Sequence, residues 1–314
     1  MEPAPTYPAK AFPIPSITNF MKFSIVDVFA ETQYTGNQLA VIWGEGVERL
    51  SDQEMLKIAQ EMNYSETTFI GASEPKNGGY PVRIFTPKKE LPFAGHPTLG
   101  TAYIIAEEII KDSVNQVILN LAVGQIPVTW KPEASGKKML WMRQNSPEFT
   151  NSYDHKLLAP VLNLEPCDFD TNYPIQEVST GIPFIIVPLK TQSALRKAKV
   201  DLECYTELIK ITTAQEIFLF CPETHHPENQ LCARMFAPAL GITEDPATGS
   251  ANGCLAGYLS NYHYFGSDQV NIRVEQGYEI DRPSLLLLKA EKIGDLIQVE
   301  VGGNVIKVAE GILV

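Results

Sequence analysis

The alternation of apolar and polar positions divides the chain into strands and helices. Residues 22–29 (KFSIVDVF) and 38–43 are rich in apolar and β-branched side chains, which is typical of strands. The same criterion predicts further strands at 66–72, 80–86, 183–189, 216–222 and 230–236. Ser51 and Glu54 have the spacing of a capping box, so a helix is expected to begin there and to run to about Met62.

Two further segments predict buried helices. Residues 97–111 and 249–260 carry small and aliphatic side chains on most helical faces rather than along one stripe. A helix of that kind is expected to be surrounded by protein on nearly all sides. Each half of the chain therefore contains several strands and one central apolar helix.

A segment around residue 83 recurs around residue 234 with the same order of features. The order is a strand that ends in Pro, an irregular loop, a Gly and then an apolar helix. Identical residues recur 151 positions apart, namely Arg83 and Arg234, Phe85 and Phe236, and Pro87 and Pro238. After a three-residue insertion, Gly95 corresponds to Gly249 and His96 to Ser250. The repeat predicts a duplicated domain.

This combination predicts an α+β protein rather than a doubly wound α/β protein. We expect two pseudo-symmetric domains, residues 21–138 and 139–314, each a β-sheet or barrel curled around its central helix. The C-terminal strand is available to pack back on the first domain. Residues 1–20 contain five prolines and no apolar stretch of a secretory signal, so an extended tail is expected there.

Composition narrows the classes of partner. The net charge is -12, and no run of basic residues is longer than two, so nucleic-acid binding is not expected. No apolar run approaches the length of about 18 residues that a membrane span needs. The five cysteines lack CxxC spacing, which argues against a disulfide framework or a zinc ribbon and favours a reducing cytoplasm.

Three segments carry residues suited to acid–base chemistry. Glu66 begins an apolar strand, where it is either a buried general base or an exposed strand-edge carboxylate. His96 precedes Pro97 and is expected at a helix N-cap, where backbone N–H groups bind anions. Asp245 lies before a second helix start, which it or Ser250 is expected to cap. Because these two helix starts are repeat partners, they can face one another across a cleft and bind a substrate carboxylate between their glycines.

The sequence gives less support to metal binding, to serine hydrolysis and to nucleotide binding. The pair His225–His226, with Glu223 and Glu228 nearby, could bind a metal, but the polar context indicates a surface loop and no metal site is expected. Ser250 lacks the G-x-S-x-G pattern of a hydrolase nucleophile. Motifs for nucleotide phosphates, GxGxxG after a strand or GxxxxGK[ST], do not occur.

Four motifs, in order along the chain, resemble those of the phenazine-biosynthesis isomerase-like (PhzF-like) family. They are VDVFAETQYTGNQLAVI (26–42), NYSETTFI (63–70), FTPKKELPFAGHPTLGTA (85–102) and DPATGSANG (245–253). The resemblance covers essentially residues 21–314. It implies a diaminopimelate epimerase-like fold with the active site between two similar domains, and it implies a homodimer.

The resemblance also implies roles for individual residues. The acid–base residue would be Glu66, assisted by His96 and Asp245, and the substrate would be bound by the backbone around Gly95, Gly249 and Ser250. Related racemases carry a Cys immediately before each of the two glycines, whereas this chain has Ala94 and Thr248. Racemisation by two thiols is therefore disfavoured. No cofactor is implied, because deprotonation next to a conjugated or carbonyl group needs only a base and electrostatic stabilisation.

The sequence as a whole predicts a cofactor-independent isomerase that moves a proton on a small carboxylate metabolite in the cytoplasm. The alternative is a non-catalytic protein that binds a small ligand or a partner in a retained cleft.

Overall fold

A computed structural model describes residues 21–133 and 136–314, so the tail expected at residues 1–20 lies outside the described residues. The N-terminal half contains β1 (Met21–Val28), β2 (Asn37–Gly44), α1 (Asp52–Met62), β3 (Glu66–Ile70), β4 (Tyr80–Phe85), β5 (Glu90–Leu91), α2 (Gly95–Ile104), β6 (Gln116–Leu121), β7 (Gly124–Pro132) and β8 (Lys138–Gln144). The C-terminal half contains β9 (Glu148–Tyr153), α3 (His155–Leu162), β10 (Ile175–Ser179), β11 (Pro183–Pro188), α4 (Gln192–Lys197), α5 (Leu202–Leu208), β12 (Glu216–Cys221), β13 (Leu231–Ala237), β14 (Ile242–Asp245), α6 (Gly249–Asn261), β15 (Val270–Gln276), β16 (Ser284–Ile293), β17 (Leu296–Gly303) and β18 (Val305–Ile312). Within the described ranges, no helix is both long and apolar enough to cross a membrane.

The two halves repeat one arrangement of strands. In the first half, β2 and β3 are parallel, β3 and β4 antiparallel, and β4 and β6 parallel, and β7 and β8 follow antiparallel. In the second half, β11, β12, β13, β15, β16 and β17 show the same succession of directions. Antiparallel pairing of β8 with β17 joins the halves. The expected α+β architecture, with a large curled sheet and few helices, is confirmed.

The C-terminal strand β18 pairs with the first half. It lies antiparallel to β1, and the register shifts between Ile25 and Val26. In the second half β9 lies against β10 in the same way, with a shift between Gln176 and Val178. The last strand of the chain therefore occupies in the first half the place that β9 occupies in the second.

The two central helices form the middle of the core. Every residue of α6 from Gly249 to Ser260 is buried, as expected for 249–260. The helix expected at 97–111 begins two residues earlier, at Gly95, and changes at Ile105 to a π-helical turn that ends at Ile110. The N–H of Lys111 donates to the carbonyl of Ala106 (2.8 Å) and closes this wider turn. All-round burial ends there as well, because the helix leaves the core.

Small residues allow these helices to approach the sheet closely. At Gly257 of α6, a Cβ atom would lie 2.5 Å from Cγ of Pro147, which is closer than such atoms can come. The absence of a side chain at this position is therefore a packing requirement.

The first helix positions the strand that follows it. The capping box expected at its start is confirmed: the N–H of Ser51 donates to Oε2 of Glu54 (2.8 Å), and the N–H of Glu54 donates to Oγ of Ser51 (3.4 Å). Asn63 ends the helix in the left-handed conformation (φ +54°). Three residues later β3 begins at Glu66, in parallel register with Leu39 of β2.

Candidate active site

Glu66 lies at the edge of the core rather than in solvent. Its side chain is 13% exposed, and its Oε2 atom is buried without a hydrogen-bond partner among the described residues. Burial, and to a smaller extent the negative charge of Asp245, raise the pKa of this carboxyl to about 8. The structure therefore shows that Glu66 is a buried carboxyl and not an exposed carboxylate at the edge of a strand.

His96 faces Glu66 from the start of α2. Its Nε2 lies 3.5 Å from Oε2 of Glu66, its side chain is 6% exposed, and Nε2 also lacks a hydrogen-bond partner within the described chain. Burial lowers the pKa of His96 to about 3, opposed in part by a backbone hydrogen bond at Gln38. The ring is therefore neutral near pH 7. The expectation that His96 is the N-cap is wrong, because Ala94 takes that extended position (φ -153°) and the helical backbone begins at Gly95.

Asp245 comes to the same region from the second half. It is buried at the end of β14 and accepts hydrogen bonds from Nδ2 of Asn37 (3.0 Å) and Oγ1 of Thr248 (2.5 Å). Burial raises the pKa of Asp245 to about 6, while these two hydrogen bonds oppose the rise. The expected capping of α6 by Asp245 or Ser250 is wrong: Thr248 is the N-cap, its side chain makes no cap hydrogen bond, and its hydroxyl is directed to Asp245 instead.

The starts of α2 and α6 meet at their glycines. A Cβ atom on Gly95 would lie 3.0 Å from the backbone N of Ser250 and 3.1 Å from Cα of Gly249. Neither helix has a side-chain cap. The two helix N-termini therefore converge, but the glycines pack directly against each other. The expectation that these two helix starts bind a carboxylate stays a prediction, and an anion at this place would lie beside the glycine contact.

A cavity of about 510 Å³ opens next to Glu66. Both halves contribute to its wall, which includes Tyr64, Thr86, Lys88, Leu240 and Ile242. The Nζ atom of Lys88 donates to the carbonyl of Leu240 (2.9 Å), so the repeat-related loops of the two halves touch at its mouth. A larger surface cavity of about 730 Å³ is lined by none of Glu66, His96 and Asp245.

Asn37 is a residue of this site that the sequence analysis did not single out. Its Nδ2 atom donates both to Asp245 and to the carbonyl of Ala247 (2.9 Å), so a residue of β2 orients the start of α6 in the other half. Asn37 is buried. It is the first residue of β2 and lies in the first of the four family motifs, and its place in that motif is the signal that the sequence offers.

Comparison with known proteins identifies the family of the chain. The sequence profile of the family described as phenazine biosynthesis-like protein matches residues 26–311. The trans-2,3-dihydro-3-hydroxyanthranilate isomerase of Pseudomonas aeruginosa is 33% identical over 291 residues, which cover 92% of this chain and 98% of that protein.

Solved structures extend the comparison to the fold. A PhzF-family phenazine biosynthesis protein of Bacillus anthracis superposes with a TM-score of 0.84 at 27% identity, over 95% of this chain and 100% of that one. A hydroxyproline epimerase of Agrobacterium vitis has a TM-score of 0.60 at 8% identity, over 94% of this chain and 91% of that one, and shares the fold alone. From the profile match, the full-length relatedness to a named isomerase and the shared fold, the chain is an isomerase that belongs to the phenazine biosynthesis-like (PhzF-like) family.

Proposed function

We propose that the protein is a cofactor-independent isomerase that moves a proton between two carbons of a small carboxylate metabolite, with Glu66 as the acid–base group. The observation that carries this proposal is the pair formed by Oε2 of Glu66 and Nε2 of His96. The two atoms lie 3.5 Å apart, are buried, and have no hydrogen-bond partner among the described residues. Buried polar atoms are nearly always bonded, so an unsatisfied facing pair is a place where a reacting group can be received.

The proposed reaction consumes no oxidant or reductant. The ionised Glu66 removes a proton from carbon, so an O–H bond forms and the electron pair of the C–H bond enters the conjugated system of the substrate. The carboxyl of Glu66 then returns the proton to a different carbon, and the electron pair forms the new C–H bond. The enzyme ends in its starting state, as catalysis by a single acid–base residue requires.

Electrostatics supports these roles. A carboxylate whose pKa is raised by burial is a stronger base than an ordinary glutamate, and its protonated form is populated near pH 7. A neutral His96 can donate a hydrogen bond from a ring N–H group to the Glu66 carboxylate or to a substrate oxygen beside it. The nearby charge of Asp245 contributes to the basicity of Glu66.

The cavity beside Glu66 is large enough for a small substrate, although neither His96 and Asp245 nor the glycines of the helix starts line it. Its volume of about 510 Å³ is within the range of small-molecule sites, roughly 300–1,000 Å³. The positive ends of α2 and α6 would attract a substrate carboxylate to the backbone of Gly95, Gly249 and Ser250. A homodimer in the cytoplasm is part of the same proposal, on the basis of the family resemblance.

Solvent exchange tests the proposed function directly. The purified protein is incubated in D₂O with trans-2,3-dihydro-3-hydroxyanthranilate and with a panel of small unsaturated carboxylates, and deuterium incorporation into carbon is followed by NMR. We expect incorporation without added cofactor for at least one compound. Glu66→Gln should lower this rate by about 10²–10⁴-fold, since Gln cannot accept the proton.

Glu61→Gln is the matched control, because Glu61 is an exposed glutamate of α1. Its exchange rate should equal that of the wild type. An unchanged rate in Glu66→Gln would remove Glu66 from the reaction.

A further inference from the structure

A second group of titratable side chains lies in the C-terminal half. One nitrogen of His225, the Sγ atom of Cys232 and one carboxylate oxygen of Glu275 are all within 4.8 Å of one another. His225 belongs to the loop after β12, whereas Cys232 lies on β13 and Glu275 on β15. Three separate segments therefore bring together a sulfur, a nitrogen and an oxygen donor.

The imidazole and the carboxylate are held in place. The ring of His225 stacks on Tyr278, with centroids 3.8 Å apart and planes at 12°. The carboxylate of Glu275 accepts hydrogen bonds from the backbone N–H groups of His225 (2.7 Å) and His226 (2.9 Å) and from Nδ2 of Asn229 (2.7 Å). Metal ligands in proteins are oriented by contacts of this kind.

Several buried polar atoms beside this group are unsatisfied. Nε2 of His225 and both carboxylate oxygens of Glu279 are buried without hydrogen-bond partners in the described part of the chain. The nearest arginine nitrogens, from Arg196 and Arg234, lie 4.0 and 3.9 Å from the Glu279 oxygens, which is too far for a hydrogen bond. Unsatisfied buried groups in one place are evidence for a missing partner such as an ion.

The donor set selects the class of cation. Thiolate and imidazole ligands favour Zn²⁺ and similar transition metals, whereas Mg²⁺ and Ca²⁺ prefer sites made only of oxygen. Binding requires the Cys232 thiol to lose its proton to solvent, and the thiolate and the Glu275 carboxylate then balance the two positive charges.

We propose that His225, Cys232 and Glu275 form a structural binding site for Zn²⁺ or a chemically similar divalent transition metal. The site would tie the loop after β12 to strands β13 and β15. It differs from the metal set considered in the sequence, because Glu223 instead accepts a hydrogen bond from the backbone N–H of Gln192 (2.7 Å).

Arg196 must move for the metal to bind. Its Nη2 atom lies 3.3 Å from Nδ1 of His225, so this guanidinium now partners the ring. When a metal takes Nε2, Nδ1 carries the proton of the neutral ring and no longer accepts from an arginine. The Arg196 side chain is 54% exposed and can turn into solvent.

Metal titration of the full chain tests the proposal. The protein is freed of metal with a chelator, kept reduced with a phosphine, and titrated with Zn²⁺ in competition with a chromogenic chelator, and separately with Co²⁺ by absorption. We expect one equivalent to bind and a thiolate-to-cobalt charge-transfer band in the near ultraviolet. Cys232→Ser should abolish that band and weaken binding at least about 100-fold, since even outer-sphere changes cost roughly 10–100-fold.

Four further variants make the outcome specific. His225→Gln should weaken binding to a similar degree, and it decides the question if Cys232→Ser fails to fold by circular dichroism. His226→Gln and Cys167→Ser change an exposed neighbouring histidine and an exposed thiol, and both should bind as the wild type does. Glu66→Gln should also be unchanged. The proposal is overturned if no stoichiometric binding occurs, if His225→Gln binds normally, or if Glu66→Gln loses the metal.

Discussion

The burial of Glu66 should make the free energy of unfolding depend on pH, and Glu66→Gln should remove this dependence. Folding transfers this carboxyl from water into a desolvated position, where its pKa rises from 4.5 to about 8. Between these values the unfolded chain has released the proton and the native protein has kept it. Because the native state binds more protons, the free energy of unfolding falls as the pH rises through this window.

The magnitude follows from the shift. Each pH unit inside the window costs about 1.4 kcal/mol. From about pH 4.5 to about pH 7, Glu66 therefore lowers the free energy of unfolding by about 3 kcal/mol. Glutamine at this position does not ionise. We expect the advantage of Glu66→Gln over the wild type to grow by about 3 kcal/mol across this range and to level off above about pH 8.

Urea unfolding at a series of pH values, followed by tryptophan fluorescence, measures the difference between variant and wild type. The shifts of His96 and Asp245 are caused chiefly by their own burial and persist in the variant, so they cancel in that difference. Glu61→Gln, an exposed glutamate, should show a difference that does not change with pH. A Glu66→Gln difference that varies by less than about 1 kcal/mol over the range would refute the raised pKa.

Three further results are expected. In a pH–rate profile, kcat/KM should increase with pH with a midpoint near 8, since the proposed mechanism requires the base form of Glu66. Asp245→Asn should move that midpoint to lower pH because a negative charge is removed. Asn37→Ala removes the amide hydrogen bonds to Asp245 and Ala247, and urea titrations should show a free energy of unfolding lower by about 1–3 kcal/mol. Asn37→Asp keeps the size of the side chain but lacks the same donor, so its free energy of unfolding should also stay below that of the wild type. Gly257→Ala should destabilise the protein by about 1–3 kcal/mol, because the ring of Pro147 cannot give way, and an increase in the unfolding midpoint would contradict this packing.

Local chemistry along the chain determines several elements without tertiary information. The capping box of Ser51 and Glu54 needs only residues three apart, so the start of α1 can be predicted from the sequence. The small and aliphatic side chains on most faces of residues 249–260 likewise predict a buried helix, because they leave no continuous polar face for solvent. The repeat of Arg83–Pro87 at Arg234–Pro238 indicates the duplication that the strand pairing shows.

Other features depend on contacts between distant residues, and only the tertiary structure decides them. Asn37 bonds Asp245 across 208 positions, and β18 crosses to pair with β1, because sheet closure brings remote strand ends together. The direct contact between Gly95 and Gly249 is also decided in three dimensions, since the separation of two helix starts is set by the packing of both helices in one core. The pKa of Glu66 also depends on the tertiary structure: the residue type supplies a carboxyl, and its burial near His96 and Asp245 raises the pKa to about 8.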